Sequence, residues 1–167
     1  PRFIVTEEMP GDRLSVILGD NENKGSLGYL FEFGTALSEF HMLQINYKPV
    51  KDRKFLHVPD KAYFESNRLV CLYDYLNFNR PMSVNQCFVH GDCHYANILW
   101  KGGHISAILD YELAGIGNKE FDIAWACILR PGQKFLNSKE EIDLFLRGYS
   151  KKGAFDYNNF VFYYALI

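Results

Sequence analysis

From residue 25 to 43, apolar residues recur at Leu27, Leu30, Phe31, Ala36, Leu37, Phe40 and Leu43. That three- and four-residue spacing predicts an amphipathic helix over 25–43. A second pattern of the same kind, Ala62, Phe64, Leu69, Leu72, Tyr73 and Leu76, predicts a helix over 60–76 with those residues on its buried side. The pattern then changes. Gln86 to His90, Ile98-Leu99-Trp100 and His104 to Leu109 are short apolar runs, and Lys101-Gly102-Gly103 separates the last two. Glycines between two such runs predict a tight hairpin, because glycine accepts positive φ at no steric cost. Helical spacing returns over 119–129, ended by Pro131-Gly132, and again over 156–167. Between them Ser138 opens a helix with Glu140 and Glu141 in its first turn, where negative charge suits the helix dipole. At the start, Phe3 to Thr6 predicts a strand, broken by a turn at Met9-Pro10-Gly11-Asp12. Residues 47–59, basic and punctuated by proline, predict a loop. The sum is an α+β domain, mostly helical, with short hairpins gathered around residues 90–110.

Composition sharpens this picture. A chain of 167 residues can bury one sizeable core, and 48% hydrophobic with 16% aromatic content excludes a disordered chain. The net charge of -2 gives no sign of a nucleic-acid or membrane-surface partner. Cys71, Cys87, Cys93 and Cys127 form no CxxC pair, so reduced thiols are expected. With no apolar run of membrane-spanning length and no signal segment, a cytoplasmic location is expected. No internal repeat is visible. Both ends, Pro1 to Thr6 and Phe160 to Ile167, are apolar where isolated domains usually end in solvated segments, so the chain is expected to be cut at both.

The chemistry gathers between residues 90 and 112. Asp92 and Asn97 lie five positions apart in a glycine-containing loop that follows one apolar run and precedes another; Asp110 closes the run after that. A substrate hydroxyl is a poor nucleophile until its proton has somewhere to go. A carboxylate held in a turn can accept that proton and aim the oxygen at phosphorus. Magnesium takes hard oxygen ligands and keeps much of its water, so few protein groups suffice. A carboxylate ending one hairpin strand and an amide oxygen opening its partner can converge on the same phosphates. Singly, Asp92 could cap a turn, Asn97 start a strand and Asp110 end one. Together, framed by His90, they point to phosphoryl transfer.

The run His90-Gly91-Asp92-Cys93-His94-Tyr95-Ala96-Asn97-Ile98-Leu99 resembles the catalytic loop of the aminoglycoside phosphotransferase and choline kinase superfamily. Ile108-Leu109-Asp110-Tyr111-Glu112-Leu113-Ala114-Gly115 is similar to its metal-binding segment, Phe121-Asp122-Ile123-Ala124 to the helix that follows, and Phe3 to Gly11 to the strand and hinge between its two lobes. The resemblance implies a protein-kinase-like C-terminal lobe: an inter-lobe strand and hinge over 1–12, then a helical lobe over 13–167, with the N-terminal lobe absent. It implies ATP and Mg2+ as cofactors. Asp92 would be the catalytic base, and Asn97 and Asp110 the metal ligands. Backbone groups of Glu7 and Met9 would meet the adenine edge, with Leu99 in the apolar floor beneath it. His90 and Asp122 would lock the loop through hydrogen bonds. The activity implied is transfer of the γ-phosphoryl group of ATP to a hydroxyl of a small molecule such as an aminoglycoside or choline. The isolated lobe would be inactive or weak, and the other reading is a non-catalytic lobe serving as a scaffold. Asp110-Tyr111-Glu112 stands where protein kinases have Asp-Phe-Gly, which points away from protein substrates.

Neighbouring residues compete for attention. Cys87, His90, Cys93 and His94 are all zinc-ligand types, but strand alternation sets Cys87 apart from His90, and no second ligand pair exists. Cys93 reads as a bland loop thiol rather than a nucleophile, and His94 as a source of a structural hydrogen bond. Glu112 and Tyr111 are candidates for the acceptor pocket, since an acid and an aromatic face suit a cationic amino alcohol. Trp125 reads as core packing beside Ala124 and Ile128. Lys48, Lys51, Arg53 and Lys54 read as a solvated basic loop.

Overall fold

The structure, a computed structural model, describes residues 7–82 and 86–167. The strand expected at Phe3 to Thr6 lies outside them. Chain order runs β1 (Asp12–Arg13), α1 (Leu14–Leu18), α2 (Leu27–His41), α3 (Lys61–Ser66), α4 (Val70–Phe78), β2 (Gln86–Val89), β3 (Ile98–Lys101), β4 (His104–Ile108), β5 (Gly115–Asn118), α5 (Lys119–Cys127), α6 (Lys139–Ser150) and α7 (Tyr157–Leu166). Two small antiparallel sheets sit among the helices, one ordered β1-β3-β4 and the other β2-β5.

The expected helices form, with one exception. Helix α6 starts on a capping box: the Ser138 hydroxyl accepts from the Glu141 amide, and the Glu141 carboxylate accepts from the Ser138 amide. Helix α7 starts on Asp156, whose carboxylate accepts from the amides of Asn158 and Asn159. The single helix expected over 60–76 is instead two, α3 and α4. Arg68 adopts a left-handed φ of 60°, two residues after α3 ends at Ser66, and a new helix begins at Val70. The break leaves Leu69 exposed, while Phe64 and Leu76 pack on Phe162 of α7. On α2 the buried face is Leu30, Phe33, Leu37 and Phe40, whereas Phe31 is exposed, as is Leu43 beyond the helix end.

Helices α2 and α6 cross at close range. A Cβ on Gly34 would fall 2.0 Å from the Phe145 carbonyl oxygen, and one on Gly148 would fall 2.0 Å from the Phe31 carbonyl oxygen. The two glycines therefore set the approach of the two backbones, and Phe33 and Phe145 fill the space beside them edge to face at 4.9 Å. The N-terminal ends of the pair are joined by the Ser26 hydroxyl, which donates to the Glu141 carboxylate at 2.7 Å. Burial acts to raise the Glu141 pKa, but hydrogen bonds from Ser26, Ser138 and the Asn137 amide hold it below the usual carboxylate range. The main core lies beneath this pair and takes in Ile98, Trp100, Ile123, Phe135 and Phe160. Gly34→Ala is expected to lower stability by about 3 kcal/mol through forced separation of α2 and α6, read as a fall in the urea midpoint.

Candidate active site

The loop between β2 and β3 is positioned from below by α5. The Asp122 carboxylate, fully buried, accepts from the His90 amide at 2.8 Å, from the Gly91 amide at 2.9 Å and from His41 Nε2 at 3.1 Å. His41 Nδ1 in turn meets the Tyr149 hydroxyl at 2.8 Å, so α2 and α6 both brace the anchor. Burial acts to raise the Asp122 pKa. The His41 hydrogen bond and charge, with the His90 amide bond adding to them, overcome it and hold the carboxyl below its ordinary range. Gly91 has φ 81°, and a Cβ there would fall 2.4 Å from the Leu113 carbonyl oxygen, so only glycine fits this turn.

His90 ties the loop to the far side of the hairpin. Its Nε2 donates to the Leu109 carbonyl at 2.8 Å, and its Nδ1 accepts from the Asp92 amide at 3.3 Å. The Asn97 side chain closes the loop: Nδ2 donates to the Asp92 carbonyl at 3.0 Å. That bond engages the amide nitrogen, while the Asn97 side-chain oxygen accepts no hydrogen bond from the described residues. The β3–β4 register, Ile98 opposite Ile108, sets Asn97 and Asp110 at the same end of the hairpin. The Leu109 amide donates to the Asn97 carbonyl at 2.7 Å. Asp110 is exposed, with a left-handed backbone at φ 67°, a conformation Asp tolerates better than most residues. Two hard oxygen donors thus sit at one hairpin end, a donor set that suits magnesium.

Asp92 is half-buried at the rim. Its Oδ1 accepts from Trp125 Nε1 at 2.6 Å; its Oδ2 lies 3.5 Å from Asn97 Nδ2 and 3.7 Å from His94 Nε2. His94 Nδ1 accepts from the Ala96 amide, the structural bond expected of it. Burial, with the Arg130 charge, lowers the His94 pKa, which keeps the ring neutral at pH 7. Cys93 is buried, and burial, reinforced by the Asp122 and Asp92 charges, pushes its thiol pKa well up, so it stays protonated. Cys87 is pushed up to about 11 by burial and by Asp122.

Two expectations need correction. Trp125 is not simply core packing, since its indole holds the Asp92 carboxylate. Nor is Arg53 a solvated residue. It is half-buried, donates to the Gly91 carbonyl at 2.7 Å, and lies over the rings of Phe121 and Trp125. The segment carrying it runs beside β5, where Val50 donates to the Ile116 carbonyl and Ile116 to the Lys48 carbonyl. Arg130, not singled out from the sequence, lies 5.3 Å from the centre of the Trp125 ring. Burial lowers the pKa of both arginines, and the Asp92 charge opposes that shift in each.

The remaining candidates occupy two edges. Leu99 is half-buried in the middle strand, between Arg13 of β1 and Ala107 of β4. Glu7 and Met9 are exposed in the segment leading into β1, and the Ser106 hydroxyl donates to the Pro10 carbonyl at 2.6 Å, fixing that segment against β4. On the other edge Tyr111 stacks on Phe40, with centroids 5.9 Å apart, and leans on His90 at 5.0 Å; Glu112 beside it is exposed.

A family model described as the phosphotransferase enzyme family matches residues 2–159. Comparison with curated proteins gives no significant match. Among solved structures, an aminoglycoside-3'-phosphotransferase of type VIII superposes with a TM-score of 0.62 at 18% identity, covering 96% of this chain and 66% of that one. A choline/ethanolamine kinase family protein from Mesorhizobium loti gives 0.61 at 16% identity, over 88% of this chain and 51% of that one. The amicoumacin kinase hAmiN, solved with AMP-PNP, Ca2+ and Ami, gives 0.55 at 17% identity, over 96% and 54%. The chain therefore spans about half to two thirds of the length of these structures, and its fold is that of the kinase-like C-terminal lobe.

Because the folded pKa of Asp122 lies below its unfolded value, the anchor contributes stability that is complete above about pH 4 and is lost as pH falls through the depressed value. Asp122→Asn is expected to lower stability by about 3 kcal/mol at pH 7, with the gap to wild type closing at lower pH. Urea midpoints measured from pH 7 down to pH 3 check this.

Proposed function

The chain belongs to the phosphotransferase enzyme family, and from that premise we propose that it carries the general base and the cation ligands of an ATP-dependent small-molecule kinase. The observation that carries this reading is the tying of Asp92, Asn97 and the Leu109–Asp110 corner into one hydrogen-bonded unit, clamped to α5 by Asp122. Asp92 takes the proton of an acceptor hydroxyl. The freed oxygen attacks the γ-phosphorus of ATP, the bond from that phosphorus to the β–γ bridging oxygen breaks, and ADP leaves with the electron pair. Asn97 Oδ1 and the Asp110 carboxylate would hold magnesium, which supplies neutralisation of phosphate charge when bound.

The other roles follow the same frame. Glu7 and Met9 present backbone groups to the adenine edge, and Leu99 provides apolar floor beneath it. His90 and Asp122 hold the loop in register, since small displacements of a base cost large factors in rate. Tyr111 and Glu112 face the acceptor. A nucleotide analogue and a divalent cation in the amicoumacin kinase structure support the ATP and cation reading by analogy. Acceptors named for the similar structures, aminoglycosides and choline or ethanolamine, support small hydroxyl compounds as the class.

In the full-length gene product, Asp92→Asn is expected to lower ATP turnover at least about 100-fold while nucleotide binding persists. Asp110→Asn is expected to raise the magnesium requirement about 10-fold or more. Nucleotide binding indifferent to both magnesium and Asp110, measured by calorimetry, would contradict the assignment.

A further inference from the structure

Trp125 occupies a position that the reaction scheme above does not use. It lies on α5 three residues after Asp122, so both side chains leave the same face of one helical turn. Asp122 holds the backbone of residues 90 and 91, and Trp125 reaches the side chain of residue 92. The indole ring is itself fixed. Phe121 stacks on it at 5.8 Å, and the guanidinium carbons of Arg53 and Arg130 lie 5.8 and 5.3 Å from its centre. Arg130 also donates to the carbonyls of Trp125 and Ile128, at 3.4 and 3.0 Å. A cation over an indole is attracted to the ring face and favours a fixed ring plane.

The chemistry of the donor matters. An indole N–H gives a hydrogen bond and accepts none, so it cannot compete for a substrate proton. At 2.6 Å it engages Oδ1 of Asp92 closely, while the contacts to Oδ2, 3.5 Å from Asn97 and 3.7 Å from His94, are long for hydrogen bonds. The two oxygens of the carboxylate are therefore unequal. We propose that Trp125 is a positioning residue that occupies Oδ1 and fixes the carboxylate plane, so that Oδ2 is the oxygen that receives the acceptor's proton. The proton moves from the acceptor oxygen to Oδ2, and the acceptor oxygen's electron pair forms the new bond to the γ-phosphorus while the bond to the bridging oxygen breaks and ADP departs with its electrons. This role rests on Asp92 being the base.

The test uses the full-length gene product and the hydrolysis of Mg-ATP, with water as the acceptor. Trp125→Phe retains an aromatic ring and deletes the donor. It is expected to lower kcat about 10- to 100-fold and to leave KM for Mg-ATP within about twofold. Benzothienylalanine at position 125, which replaces the N–H by sulfur in a ring of the same shape, is expected to reproduce that loss and separates it from misfolding. The discriminating readout is the double variant. Asp92→Asn with Trp125→Phe is expected to be no slower than Asp92→Asn alone, because both substitutions remove one function. Unchanged kcat in the benzothienylalanine protein, or a double variant slower still, would overturn the proposal while leaving Asp92 as the base. Hydrolysis unaffected by Asp92→Asn would overturn the base assignment, and the role of Trp125 with it.

Discussion

The site depends on one buried carboxylate. Asp122 has no exposed surface, and an ion in that position survives only if its bonds replace the water it has lost. It accepts three hydrogen bonds, two from consecutive amides of the 90–92 loop and one from His41. The amides it takes are the ones a sharp turn leaves without strand partners. One interaction thus solves two problems: it satisfies a turn that could not satisfy itself, and it fixes the turn to a helix. Through His41 and Tyr149 the same carboxylate is wired to α2 and α6, whose backbones cross at close range.

From that anchor the functional groups are placed by short chains of bonds. The His90 ring spans from Asp92 to Leu109, Asn97 spans from the loop to the hairpin, and the hairpin delivers Asp110. The pattern separates burdens. Buried groups carry the precision, and the groups assigned to phosphate and cation chemistry stand at the rim, half-buried or exposed. Two arginines beside Asp92 add positive charge to that rim. Their burial is costly, and the carboxylate offsets part of the cost.

Much of this was legible in the sequence. The spacing of His90, Asp92, Asn97 and Asp110 located the loop, and Gly102-Gly103 between two apolar runs located the hairpin. The start of α6 was legible from Ser138, since a cap is a local device, and α7 from the helical spacing over 156–167. What was not legible depends on distant contacts. The break at Arg68 overrides a continuous apolar pattern with one left-handed residue. Strand β5 was missed because Gly115 and Gly117 are poor strand formers; they are small because residues 48–50 lie against them. Trp125 and Arg53 looked like packing and surface because nothing local marks a side chain that reaches across to residue 91 or 92. His41 carried no signal beyond the helical pattern around it, and its role exists only where α2 meets α5.

Amide hydrogen exchange at His90 and Gly91 tests the central claim most directly. If Asp122 clamps the loop, both amides exchange in the native protein as slowly as those in the core of α2, and each speeds up by orders of magnitude in Asp122→Asn while α2 remains protected. Exchange of both amides at the rate of an open surface loop in the native protein would contradict the account.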